Sequence, residues 1–146
     1  MFYSLAITYL LCIIVCRGIS EGDISWRNCN SSWSVANVLD VSFNPNPPKA
    51  HHHFIITTRT EFRREVSDGQ MALIILHEGE PVLNQTMQFC EFSNDIGLPC
   101  PIIPGIHTKS TQVYLFWPEG SYIGKLTGWD SHSQLVCVEF HFEVDD

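Results

Sequence analysis

Val136-Cys137-Val138-Glu139-Phe140-His141-Phe142-Glu143-Val144, near the C-terminus, decides the fold class. Val136, Val138, Phe140, Phe142 and Val144 fall on one side of an extended chain, and Cys137, Glu139, His141 and Glu143 on the other. One face is wholly apolar and the other mostly polar, the period-2 pattern of a strand buried on one side. The residues before it repeat the pattern. Asp130-Ser131-His132-Ser133 turns into this strand, Tyr122 to Trp129 reads as the strand before the turn, and Pro118-Glu119-Gly120 closes a run over Val113 to Trp117. Further back, Val82 to Cys90 and Met71 to Leu76 read as strands separated by His77-Glu78-Gly79-Glu80-Pro81, and Ser67-Asp68-Gly69 marks another turn.

His53 to Phe62 is rich in β-branched residues and puts Phe54, Ile56, Thr58, Thr60 and Phe62 on one face. Val35 to Phe43 puts Val35, Leu39, Val41 and Phe43 on one face, with Asn37 as the exception. It stops at Asn44-Pro45-Asn46-Pro47-Pro48, where proline cannot continue a ladder. About seven or eight short strands with dense turn signals, and no amphipathic helix of three turns, predict an all-β sandwich of one domain. The segment Phe89 to Gly105 stands apart. Phe92, Ile96, Leu98, Ile102 and Ile103 sit there among Gly97, Pro99, Pro101 and Pro104, too apolar for an ordinary solvated loop. It either folds over an end of the sandwich or guards something.

The N-terminus reads as a secretory leader. Leu5 to Val15 is nearly all apolar, yet at about a dozen residues it falls short of the ~20 that a spanning helix needs. Small residues Gly18 and Ser20 follow, so residues 1–20 are read as a signal peptide and 21–146 as the domain. No basic residue precedes the apolar run, and an uncleaved anchor is the alternative. Cleavage removes Cys12 and Cys16 and leaves Cys29, Cys90, Cys100 and Cys137, an even number that suits two disulfides of undetermined pairing. Asn30-Ser31-Ser32 and Asn84-Gln85-Thr86 are glycosylation acceptors, at Asn30 and Asn84, consistent with that route.

Composition excludes some functions. The 146 residues carry a net charge of −8, which argues against nucleic acid and against broad docking on anionic membranes. His51-His52-His53 is a weak metal candidate, since neighbours on a strand point to opposite faces. The cysteines lack zinc-site spacing, and no nucleophile elbow, metalloprotease, P-loop or dinucleotide fingerprint occurs, so no enzyme, metal or cofactor is expected. Trp26, Trp33, Trp117 and Trp129 raise the alternative of sugar stacking, against the commoner role of filling a core. The immunoglobulin adhesion signature is absent: two residues before Cys137 stands Leu135, and before Cys90, Gln88, where that fold places tyrosine.

Several segments in order carry a likeness. A cysteine follows the leader; a strand ends in Val41-Ser42-Phe43-Asn44-Pro45-Asn46-Pro47-Pro48; then come Cys90, Cys100-Pro101-Ile102, Pro104-Gly105 and Leu135-Val136-Cys137-Val138-Glu139-Phe140. From about Trp26 to Val144 the chain resembles the ML lipid-recognition domains, a family that includes the Niemann–Pick type C soluble sterol carrier and the phosphatidylglycerol/phosphatidylinositol transfer proteins. It departs from the sterol carrier in a longer loop between Cys90 and Cys100 and in lacking an early disulfide.

The resemblance implies an immunoglobulin-like β-sandwich of two antiparallel sheets, the pairing Cys29–Cys137 and Cys90–Cys100, and a lipid cavity between the sheets. It implies a secreted, extracellular or lysosomal/endosomal monomer that carries a sterol or phospholipid and touches membranes transiently. Candidates for the lining are Phe54, Ile56, Phe62, Leu73, Ile75, Phe89, Leu115, Trp117 and Tyr122, and for the mouth Phe92, Ile96, Ile102 and Ile103. A head-group phosphate would want a cation, and His107 and Lys109 lie just beyond Pro104-Gly105. The rival readings are a receptor's lipid-recognition subunit and a filled-core adhesion or carbohydrate-binding sandwich.

Overall fold

A computed structural model describes residues 24–29 and 34–146; the leader expected at 1–20, Asn30 and Trp33 lie outside them. Among the described residues eight strands and one short helix follow in order: β1 (Ser25–Asn28), β2 (Ala36–Asn44), β3 (His53–Phe62), β4 (Gln70–His77), β5 (Glu80–Gln88), α1 (Phe89–Asp95), β6 (Gly105–Tyr114), β7 (Gly120–Trp129) and β8 (Gln134–Val144). One sheet has the order β1-β8-β7-β4-β5 and the other β2-β3-β6, with every pairing antiparallel.

Four differences from the sequence reading have physical causes. The strand expected over Val82 to Cys90 ends at Gln88, and α1 takes over at Phe89, which it buries together with Ser93. The strand expected over Val113 to Trp117 lies upstream as β6, whose residues before Val113 are polar on both faces apart from Ile106. The single face expected for β2 is broken by a bulge between Val38 and Asp40. Leu39 is the extra residue, so alternation changes phase there, and Val38 rather than Asn37 turns inward with Val41 and Phe43. The fourth is β1, which is short and carries no alternation long enough to read.

Side chains close one side of the sandwich. The Asn28 amide donates to the Val38 carbonyl at 2.7 Å and its oxygen accepts the Val38 N–H at 3.0 Å, so one β1 side chain substitutes for a strand partner at the edge of β2. Next to it Cys29 is bonded to Cys137 of β8, and the second disulfide joins Cys90 to Cys100. Two packed cores sit at opposite ends. One gathers Val35, Phe62, Val66, Met71, Phe89, Ile102, Leu135 and Val136, and the other Phe54, Ile75, Leu115, Tyr122, Phe142 and Val144.

The turn into β8 is held by Asp130. Its Oδ1 accepts the N–H groups of His132 (2.8 Å) and Ser133 (2.9 Å), and its Oδ2 accepts from Arg64. Burial pushes this carboxyl up, but the Arg64 hydrogen bond, the two backbone donors and the guanidinium charge outweigh it and hold the pKa at about 2, below the usual 3.8. A depressed carboxylate stabilises the fold fully above its unfolded pKa and loses that contribution as pH falls toward the folded value. Asp130→Asn is therefore expected to cost stability at neutral pH, with the gap from the parent closing between about pH 4 and pH 2. Denaturant titrations across that range check it, and parallel curves down to pH 2 would exclude the carboxylate as the cause.

Candidate functional site

Between the two cores the sheets do not interdigitate. Packed sheets normally fill the ~10 Å between them with side chains, yet here a cavity of about 610 Å³ remains. Trp26 of β1, Val138, Phe140 and Phe142 of β8, Leu126 of β7, Leu73 and Ile75 of β4 and Leu83 of β5 form one wall. Val41 and Phe43 of β2, Phe54, Ile56 and Thr58 of β3, and Lys109, Thr111 and Val113 of β6 form the other. Phe92 of α1 and Ile96 just after it close one end, and Leu115, Phe116 and Trp117 the other. A smaller space of about 120 Å³ adjoins it beneath α1, bordered by Phe62, Met71, Phe89, Ser93 and Val136, and shares Thr58, Lys109, Phe92 and Ile96 with the larger one.

Local sequence explains the wall. Gly124 has no side chain, and the Phe140 ring of the neighbouring strand occupies the space that a Cβ would fill. On β6 the inward positions are His107, Lys109, Thr111 and Val113, so the most polar strand places its polar residues inside. Lys109 is the single charged side chain among the described residues lining the larger cavity. It is half-buried and makes no ion pair among the described residues.

The expected lining residues divide three ways. Phe54, Ile56, Leu73, Ile75, Leu115 and Trp117 border the large cavity, and Phe62 and Phe89 border the small one. Tyr122 does neither. It is fully buried, stacked on His77, Trp117 and Phe142, and its hydroxyl donates to the Pro118 carbonyl at 2.7 Å. Of the expected mouth, Phe92 and Ile96 border the cavity, but Ile102 and Ile103 do not. Ile102 is buried and exchanges backbone hydrogen bonds with Val66, while Ile103 beside it points to solvent, because neighbours on an extended chain face opposite ways.

Sequence reasoning did not place Trp26, Leu83, Leu126 or Phe116 in the lining. Phe116 is 75% exposed and packs edge-on against Tyr114, so an aromatic pair stands at the cavity's rim. The three histidines take separate partners: His51 sits in a left-handed turn, His52 Nδ1 donates to the Ala50 carbonyl, and His53 meets Tyr114 edge-on. Among the described residues no group of three metal-ligating side chains converges. Asn84 is exposed on β5, an edge strand of its sheet.

Residues 23–144 match the sequence profile of the ML domain. The chain is 33% identical over 116 residues to a phosphatidylglycerol/phosphatidylinositol transfer protein of Aspergillus oryzae, spanning 76% of this chain and 66% of that protein. It is 21% identical over 140 residues to a putative phosphatidylglycerol/phosphatidylinositol transfer protein of Dictyostelium discoideum, spanning 93% of this chain and 89% of that one. Two solved structures share the fold. A Niemann–Pick type C2 protein from the Japanese carpenter ant superposes with a TM-score of 0.62 at 12% identity, over 83% of this chain and 99% of that one. Chicken MD-1, solved with lipid IVa, superposes with a TM-score of 0.57 at 16% identity, over 86% of this chain and 93% of that one.

Proposed function

The chain belongs to the ML-domain family, and from that premise we propose that it is a lipid-binding and lipid-transfer protein. It takes one sterol or phospholipid between its sheets and performs no catalysis. The observation that carries this reading is the cavity of about 610 Å³ walled almost wholly by hydrocarbon. At the ~30 Å³ that one water-sized group occupies in a liquid, the cavity takes roughly twenty such groups, the scale of a sterol or of one long acyl chain. Each buried methylene gains roughly 0.8 kcal/mol, so a filled cavity supplies ample affinity after ordering costs. Relatives named for phospholipid transfer, and a fold neighbour solved with a lipid, support the same class of ligand.

Exchange needs a bilayer. The exposed Phe116–Tyr114 pair at the rim gives an apolar contact for transient docking by a monomer, which the net charge of −8 does not draw broadly onto anionic surfaces. The two disulfides suit an oxidising compartment, so the protein works outside the cell or in the lysosomal or endosomal lumen, with an N-glycan at Asn84. Native mass spectrometry of the purified secreted protein, followed by organic extraction, tests the central claim. The expected result is one lipid per chain. Repeated absence of lipid, with none taken up from vesicles, would leave a sandwich that carries nothing.

A further inference from the structure

The inner face of the three-stranded sheet is polar where the rest of the cavity is not. Antiparallel register puts Thr58 opposite Lys109 and Thr60 opposite His107. All four border the cavities, in the half nearer α1. Residues directly opposite on one face of a ladder lie about 5 Å apart at Cβ, so these side chains form a single patch. Two neighbouring groups are already engaged: Thr111 Oγ1 donates to the Ile96 carbonyl at 3.2 Å, and His107 Nε2 donates to the Ile103 carbonyl at 2.8 Å. The Lys109 ammonium and the Thr58 and Thr60 hydroxyls have no hydrogen bond or ion pair to another described residue.

A half-buried ammonium that borders an apolar cavity is a ready partner for an anion placed there. Nothing among the described residues lining the cavity is acidic, so the protein does not supply the counter-charge. Resting on the lipid-carrier reading, we propose that Lys109 is the specificity-determining residue: it selects a lipid bearing an anionic group, held by Lys109, Thr58 and Thr60 beside α1. Orientation follows from the space available. The lobe beneath α1, at about 120 Å³, has room for roughly four water-sized groups, too few for an acyl chain. The hydrocarbon therefore runs the other way, toward Phe43, Phe54 and Phe142. A phosphodiester and a carboxylate are both anions that this patch accepts, and charge-assisted hydrogen bonds to either are the strong kind.

The test measures lipid uptake from vesicles by the intact secreted protein. The probes are dioleoylphosphatidylglycerol, dioleoylphosphatidylcholine, whose choline cancels its phosphate, and oleate. Lys109→Met keeps the length of the stem and removes the charge, and Lys109→Arg keeps the charge. The parent protein is expected to prefer an anionic lipid. Lys109→Met should lower the ratio of phosphatidylglycerol to phosphatidylcholine uptake about tenfold, and Lys109→Arg should retain the preference. Uptake of oleate with refusal of phosphatidylglycerol supports the charge site and assigns it a carboxylate. A Lys109→Met protein that takes up phosphatidylcholine normally and keeps the parent's ratio overturns the proposal. A parent protein that takes up none of the three fails as a carrier, a different result.

Discussion

Leu73→Trp combined with Ile56→Trp is expected to abolish lipid uptake while leaving the fold as stable as the parent or more so. The two residues come from opposite sheets and border the same cavity. In a filled core, inserting two indoles forces side chains off their rotamers and costs typically 1–3 kcal/mol per site. In a void, the indoles gain contacts that the lining lacks, and filling it stabilises. The sign of the stability change thus separates an apolar cavity from an ordinary core. Binding loses roughly 0.8 kcal/mol for every methylene denied space, so excluding four costs about 3 kcal/mol, or roughly two hundredfold in affinity. Vesicle uptake and denaturant unfolding on one preparation give both numbers. Loss of stability with lipid uptake retained would contradict the assignment of these walls.

The second large effect concerns the disulfides, which act on different properties. Cys29 and Cys137 are 108 residues apart, and closing a loop near that length restricts the unfolded chain by about 4.7 kcal/mol in the chain-entropy model. Cys90 and Cys100 are only 10 apart, for which the same relation gives under about 3 kcal/mol. Replacing the first pair by serine should cost the larger share of stability and loosen β1, which has four residues and pairs only with β8. Replacing the second should cost less stability but more binding, because its loop carries Phe92 and Ile96, which close the cavity. Melting temperature ranks the pairs one way and lipid affinity the other. Equal losses of stability from both would argue against loop length as the source.

The strands that proved legible are those whose two faces differ. β8 and β3 alternate cleanly, and their apolar or threonine-bearing faces both line the interior. β6 did not show itself, because His107, Lys109 and Thr111 make its inward face polar, and a strand polar on both sides resembles a loop. The feature that hid the strand is the one that marks the site. α1 was obscured for another reason: two helical turns followed by Gly97, Pro99 and Pro101 are too brief for a 3.6-residue period to emerge. The lining could be narrowed but not resolved. Tyr122 and Trp117 are equally apolar in a sequence, yet one is stacked in a core and the other borders a void. Hydrophobicity registers removal from water, and that signal is the same whether the neighbour is protein or a ligand.

The two cores at opposite ends of the sandwich have a consequence for how such a chain diverges. Tyr122 and Phe142 anchor one end and Leu135, Met71 and Ile102 the other, while Leu83, Leu126, Thr58 and Lys109 between them are only half-buried. Changes in the middle alter what is carried at little cost to the scaffold, since the scaffold's own cohesion lies elsewhere. Selection on cargo and selection on foldability meet at Phe54, Ile75, Leu115 and Phe142, which belong to a core and line the cavity, and part at these half-buried positions. A duplicated copy of this gene has a short mutational path to a new ligand, and that path need not pass through unstable intermediates.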